Sequence, residues 1–135
     1  MIASVEEFLQ LRLSENPDEY YRAAWEEAPL QVWLGIIAKH PEMKPWVAHN
    51  KTVPLEILDL LSHDADAEVR CAVAMKRKLP EPLQIALAKD GNASVRQRIV
   101  YNAKATKAAL QILAEDEEEG IRDKASERLA RGDYT

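Results

Sequence analysis

Cysteine and glycine are scarce in this chain of 135 residues, which contains one cysteine, four glycines and seven prolines. The single thiol, Cys71, cannot form an internal disulfide, so an oxidising compartment is not indicated. Apolar residues make up 47% of the chain and charged residues 30%, an ordinary globular balance with a helical bias. The length predicts one domain, residues 1–135, that buries its core without disulfides or metals.

Long apolar runs are also absent. The longest stretches are about the size of Val32 to Ala38, whereas a membrane span requires roughly 20 apolar residues. The first residues, MIASVEEFLQ, have neither a basic segment nor an apolar core of the kind found in signal peptides. We therefore expect a cytoplasmic protein that does not bind membranes.

Motifs for catalysis and for cofactor binding are missing as well. The sequence contains no G-x-G-x-x-G, P-loop, H-E-x-x-H or G-x-S-x-G pattern. The spacing of His40, His49, His63 and Cys71 matches no zinc site. We expect no catalytic residue, no metal and no cofactor, and hence a protein that is not an enzyme. A formal net charge of -5 argues against a surface built wholly for nucleic acid, although a local basic patch remains possible.

What the sequence does contain is an internal repeat. Three segments read DADAEVR, DGNASVR and DEEEGIR, and their first residues are 26 positions apart. They begin at Asp64, Asp90 and Asp116 and end at Arg70, Arg96 and Arg122. Rows that start at Pro54, Pro80 and Thr106 also align apolar residues, among them the column Val69, Val95 and Ile121. One structural unit is therefore repeated three times.

Each row is predicted to form a helix, a turn and a second helix, because its apolar residues fall at helical spacing on both sides of a polar break. Pro54 and Pro80 suit the first turn of a helix, and Thr106 can cap one. The turns that begin at Asp64 and Asp90 can cap the second helices. Such a short helix pair cannot bury its apolar face alone, so neighbouring rows must stack into an all-α solenoid.

Stacking gives the repeated Asp and Arg a structural purpose. When equivalent turns lie side by side, the Asp of one turn lies near the Arg of its own row or of the next row. We therefore predict a ladder of charge-assisted hydrogen bonds that runs along the stack.

The pattern Pro54, Asp64, Val69 and Arg70 resembles a HEAT repeat, and residues 47–70, VAHNKTVPLEILDLLSHDADAEVR, resemble the leucine-rich repeat variant. The resemblance covers about residues 47–129. It implies a right-handed stack and, by analogy with small acidic bacterial proteins of this design, an adaptor or an immunity-type binder. The row is longer than the variant repeat, so the second element should be an α-helix, and one Cys excludes the cysteine cluster that holds an iron–sulfur centre in one family member.

Residues 1–46 lack the repeat and are predicted to form an N-terminal cap of three helices, at residues 4–13, 17–27 and 29–39. The repeats then fill residues 47–131 and a tail residues 132–135. All three Trp lie in the cap region. They either build the core of the cap or, in the case of Trp46, provide an exposed anchor for a partner.

Two surfaces are candidate binding sites. The first is a stripe along the second helices, where Met75 and Tyr101 share a column that begins beside Trp46. Its members are Trp46, His49, Met75, Arg98, Tyr101 and Lys124. The second is a basic ridge at the ends of the rows, formed by Lys51, Lys76, Arg77, Lys78 and Lys104. An acidic edge with Asp64, Asp66, Asp90 and residues 116–119 should lie opposite the ridge.

The basic ridge has a simpler explanation, since cations complement the dipole at any helix C-terminus. We therefore predict a module that binds another protein through the stripe. A nucleic-acid-binding or base-excising protein that uses the ridge is the alternative, by analogy with stacked-helix DNA glycosylases. Self-association through the exposed ends of the stack is a third possibility.

Overall fold

The computed structural model describes Met1–Thr135, and the chain in it is helical throughout, without strands. The predicted all-α class is confirmed. The residues form two compact units, Met1–Leu61 and Ser62–Thr135. None of the ten helices combines the length and the apolar character that crossing a membrane would need.

The first unit consists of five helices and one short 3₁₀ turn. The helices are α1 (Val5–Leu13), α2 (Pro17–Trp25), α3 (Leu30–Lys39), α4 (Lys44–His49) and α5 (Leu55–Ser62), whose last residue belongs to the second unit, and the 3₁₀ turn is Pro41–Met43. The three helices predicted for residues 1–46 are present. Helix α4 was not predicted, because it is too short to show a helical period of apolar residues and has Pro45 in its first turn.

Side-chain caps mark the N-termini of the first two helices, at the residues where the sequence predicts them. The Ser4 Oγ atom accepts the Glu7 backbone N–H at 3.1 Å, and the Asn16 Oδ1 atom accepts the Asp18 N–H at 3.0 Å. Each cap satisfies a backbone donor that has no partner within its helix.

The core of the first unit contains only part of the aromatic set. Phe8 and Trp33 are fully buried and pack edge to face, with ring centroids 5.6 Å apart. Trp25 and Trp46, in contrast, are 61% and 41% exposed. The prediction that the Trp residues build the core is therefore right for Trp33 and wrong for Trp25, and of the two alternatives for Trp46 the exposed position is the one observed.

The second unit alternates in a regular way. Its helices are α6 (Ala67–Ala74), α7 (Glu81–Ala88), α8 (Ala93–Val100), α9 (Lys107–Leu113) and α10 (Glu119–Ala130). Helix α6 packs on α8, α8 packs on α10, and α7 packs on α9. The second element of each row, α6, α8 or α10, is an α-helix, as the length of the row predicts.

The predicted apolar columns lie in the core of the second unit. Val69, Val95 and Ile121 are buried, and Thr106 caps α9 by accepting the Ala109 N–H. Cys71 and Ala72 of α6 lie outside the apolar column of Val69 and yet are buried. The reason is that α6 packs against α7 as well as α8, so more than one side of it is covered.

Candidate functional site

The same turn precedes each second helix of the second unit. In each turn the Asp carboxylate accepts the backbone N–H of the residue two positions later, at 2.8 to 2.9 Å. The three pairs are Asp64 with Asp66, Asp90 with Asn92, and Asp116 with Glu118. Asp66 and Asn92 then cap α6 and α8 through their side chains. The repeated Asp is therefore first of all a turn residue.

The charge ladder joins successive rows in the direction opposite to the predicted one. Arg70 donates to the carboxylate of Asp90 with an Nε–Oδ2 distance of 2.8 Å, and Arg96 donates to Asp116 at 2.7 Å. Each carboxylate is thus paired with the Arg of the preceding row, whereas the prediction placed it with the Arg of its own or the next row.

Within a row, the link is made to the backbone instead. A terminal guanidinium nitrogen donates to the backbone carbonyl of the Asp six residues earlier in all three turns. These donors and acceptors are Arg70 and Asp64 at 2.7 Å, Arg96 and Asp90 at 2.7 Å, and Arg122 and Asp116 at 3.4 Å. One Arg side chain therefore holds its own turn and, in the first two rows, the next turn too.

This pairing removes two carboxylates from the predicted acidic edge. The side chains of Asp90 and Asp116 are only 9% and 5% exposed. Burial opposes ionisation of Asp90, but hydrogen bonds from Arg70 and from the Asn92 N–H outweigh it and hold the pKa of Asp90 below its ordinary value. These carboxylates stabilise the turns and are not free to meet a charged partner.

A second set of buried polar side chains was not predicted. Asn102 is 6% exposed, and its Nδ2 atom donates to the carbonyls of Ala74 and Lys76, each at 2.9 Å. Its Oδ1 atom accepts the Lys104 N–H at 2.9 Å. Asn102 thus ties the end of α8 to the end of the preceding second helix.

Arg128 repeats this arrangement one row later, with hydrogen bonds of 3.0 and 2.8 Å to the carbonyls of Val100 and Asn102. In the first unit Asn50 does the same towards Ala23 and Glu26. The signal was visible in the sequence, since positions 50, 76, 102 and 128 are all polar and 26 apart. In the sequence this signal resembles a solvated edge, because the four positions are polar and lie at the ends of the rows.

The predicted basic ridge is divided between the two units. Lys51 belongs to the first unit, where its Nζ atom lies 5.9 Å from the centroid of the Trp25 ring. In the second unit Arg77, Lys78 and Lys104 are exposed and Lys76 is half-buried.

The predicted stripe is best developed in the second unit. Met75 and Tyr101 are the C-cap residues of α6 and α8 and are 49% and 59% exposed. Together with Arg77 and Arg98 they line a cavity of about 260 Å³. Tyr101 also borders a second cavity of about 210 Å³, and the Lys124 Nζ atom lies 5.5 Å from its ring centroid.

The remaining two stripe residues lie in the first unit, on α4. The rings of Trp46 and His49 are 5.6 Å apart, and the guanidinium of Arg12 lies 3.4 Å above the Trp46 ring. Trp46 is therefore partly exposed and partly covered by Arg12, a residue that belongs to no sequence motif.

The side chains that could act in catalysis or metal binding are few. Burial raises the pKa of the Cys71 thiol, although a hydrogen bond with Arg98 opposes the rise, so the thiol stays protonated at neutral pH. No group of three or more His, Cys, Asp or Glu side chains is placed to hold a metal ion.

Comparison with known proteins found no match for this chain. The sequence matches no protein-family model, and neither the curated proteins nor the solved structures gave a match.

Proposed function

We propose that the chain is a cytoplasmic, non-enzymatic protein-binding module, built as a right-handed α-solenoid of three HEAT-like or leucine-rich-repeat-variant rows. The alternate packing of α6, α8 and α10 on one another and of α7 on α9 supports such a stack. So do the ladders of Arg–Asp pairs and of buried Asn102 and Arg128, which join one row to the next. An adaptor or an immunity-type protein would use such a module.

The binding site is proposed on the second unit, on the surface formed by Met75, Arg77, Arg98 and Tyr101. One observation carries this assignment: two large apolar side chains stand exposed at equivalent positions of α6 and α8 and share a cavity with two arginines. Exposed Met adapts to different partners, and Tyr and Arg are enriched where proteins bind each other.

The chemistry of this surface favours a partner of complementary charge. Arg77 and Arg98 border the cavity, and Lys124 lies beside Tyr101. A protein segment with an apolar side chain flanked by carboxylates complements this combination, and the opposite charges would speed and orient its approach.

A capture experiment with a matched control tests the proposal. The wild type is compared with a Met75→Asp, Tyr101→Asp double variant and with a Leu55→Asp, Leu60→Asp control. The control residues are exposed to a similar degree, 52% and 48%, but lie in the first unit. Retained protein and nucleic acid are measured separately over a salt series, and circular dichroism verifies that each variant is folded.

A protein retained by the wild type and the control, but lost from the Met75→Asp, Tyr101→Asp variant, is the expected result. Equal retention by all three proteins would place the binding site elsewhere. Retained nucleic acid whose binding falls steeply with salt would instead favour the basic residues Arg77, Lys78 and Lys104. If the chain captures only copies of itself, the surface serves self-association.

A further inference from the structure

The first unit contains a cavity of its own, with a volume of about 470 Å³. Helices α1, α2 and α4 and the residue after α1 supply its walls. The polar and aromatic residues of the cavity wall are Arg12, Ser14, Tyr20, Tyr21, Trp46 and His49. Ligand pockets in proteins range from roughly 300 to 1,000 Å³, so this cavity suits a small molecule or a single amino-acid side chain with its backbone.

Arg12 is the unusual residue in this cavity. Its guanidinium carbon lies 3.4 Å from the centroid of the Trp46 ring, a stacked arrangement that leaves the N–H edge of the guanidinium directed away from the ring. The Nε atom is buried and meets no hydrogen-bond acceptor. A buried donor without an acceptor is destabilising, and such groups in native proteins call for an explanation.

Other arginines of the chain emphasise the contrast. Arg70, Arg96 and Arg128 direct their Nε atoms to carboxylate oxygens at distances of 2.7 to 3.1 Å. None of the residues that line the cavity is acidic, so no carboxylate in the cavity wall balances Arg12. The chain therefore pairs these arginines internally, whereas Arg12 lines an open cavity and its buried Nε atom has no acceptor.

We infer that this cavity binds a carboxylate carried on an aromatic or apolar body. The two terminal N–H groups of the Arg12 guanidinium donate to the carboxylate, and Trp46, Tyr20 and Tyr21 contact the body of the ligand. Stacking on Trp46 holds the guanidinium plane in place, which favours the two parallel hydrogen bonds that Arg makes to carboxylates. This site is distinct from the proposed protein-binding surface and does not depend on it.

A free aromatic acid and the C-terminal residue of a peptide both have this chemistry. The probes are 3-phenylpropionate, its neutral amide, the peptide Gly-Gly-Gly-Phe with a free C-terminus, and the same peptide amidated. Binding is measured by isothermal titration calorimetry and by Trp fluorescence, which reports on this unit because all three Trp lie in it.

The two carboxylates are expected to bind at least about tenfold more tightly than their amides, since a charge-assisted bond to the guanidinium would be lost. Tighter binding of the peptide than of phenylpropionate would identify a peptide C-terminus as the ligand, and the reverse order a free acid. Equal affinity of acids and amides, or no binding of either acid at millimolar concentration, would overturn the inference.

Variants test the roles of the residues. Arg12→Met should abolish the preference for the acid over the amide, and Arg12→Lys, which keeps the charge but loses the planar fork, should retain part of it. Arg22→Met serves as the control, because Arg22 lies on α2 outside the cavity wall and pairs with Glu26. Likewise Trp46→Ala should weaken binding of the acid and Trp25→Ala should not. An unchanged preference in a folded Arg12→Met protein would show that Arg12 does not bind the ligand.

Discussion

The first unit, Met1–Leu61, and the second unit, Ser62–Thr135, use the same buried amide for the same purpose. Asn50 and Asn102 are 52 positions apart, and each donates to two backbone carbonyls of an earlier helix end and accepts an N–H two residues later. The two units differ in their other stabilising contacts. The second unit joins its turns by Arg–Asp pairs, whereas the first packs Phe8 against Trp33.

The difference has a physical basis. A repeated turn places an Asp and an Arg at the same relative position in every row, so Arg70 and Arg96 each meet the carboxylate of the next row. The irregular first unit has no such register, and its Arg12 meets the Trp46 ring instead of a carboxylate. Regularity thus pairs charges between the rows of the second unit, whereas in the first unit Arg12 lies against an aromatic ring in the wall of a cavity.

Breaking the ladder should have the largest effect on stability. Asp116→Ala leaves Arg96, which is 8% exposed, without its carboxylate partner and also removes the acceptor of the Glu118 N–H. We expect the free energy of unfolding to fall by about 3 kcal/mol, as is typical when one member of a buried ion pair is removed. Urea denaturation followed by circular dichroism measures the loss.

The neighbouring Glu117 provides the control, because its side chain is 86% exposed and lies 3.9 Å from Arg96. Glu117→Ala should change the free energy by no more than about 0.5 kcal/mol. If Asp116→Ala were equally harmless, the ladder would not contribute to stability.

The shared amide predicts an effect of intermediate size that is the same in both units. Asn50→Ala and Asn102→Ala each leave two carbonyls and one N–H without their partner, which should cost about 2 kcal/mol in either case. Circular dichroism monitors both variants, and Trp fluorescence isolates the first unit. A large loss for one variant and none for the other would show that the two amides are not equivalent.

Two glycine substitutions should change the free energy of unfolding the least, and in opposite directions. A Cβ atom at Gly35 in α3 would lie 2.9 Å from a methyl group of Val5, whereas one at Gly120 in α10 meets nothing within 4 Å. Gly120→Ala should raise the free energy of unfolding by about 0.5–1 kcal/mol through helix propensity. Gly35→Ala should lower it by about 1 kcal/mol, because the contact has to be relieved. Melting temperatures rank the two variants against the wild type, and a stabilising Gly35→Ala would mean that the Val5 side chain can move aside at little cost.

The sequence was sufficient for the helices of the second unit and for their caps. Thr106, Asp66 and Asn92 cap the helices whose starts they mark, because capping depends on residues only two or three positions away. The direction of the ladder could not be deduced in the same way. In a 26-residue repeat, each Arg lies 6 residues after the Asp of its own row and 20 residues before the Asp of the next row. Both pairings therefore produce the same sequence pattern.

The sequence does not determine whether Met75 and Tyr101 of the candidate binding stripe are exposed, since either side chain could have packed onto its own row. Both lie at helix C-termini, where the chain turns away and leaves the side chain uncovered. Arg12 had no motif around it. Its place above Trp46 depends on a contact between residues 34 positions apart, which only the tertiary fold brings together.

The sequence by itself determined the all-α class, the 26-residue period, the turns and the helix caps, because each depends on local spacing and on residue type. Only the tertiary structure decided which polar side chains are buried and what they bind. Asn102, Arg128 and Asp116 look like surface residues in the sequence, yet each is enclosed by a neighbouring row and satisfied there. The physical reason is that the burial of a polar group depends on the acceptors and donors that packing brings to it, and these lie far away along the chain.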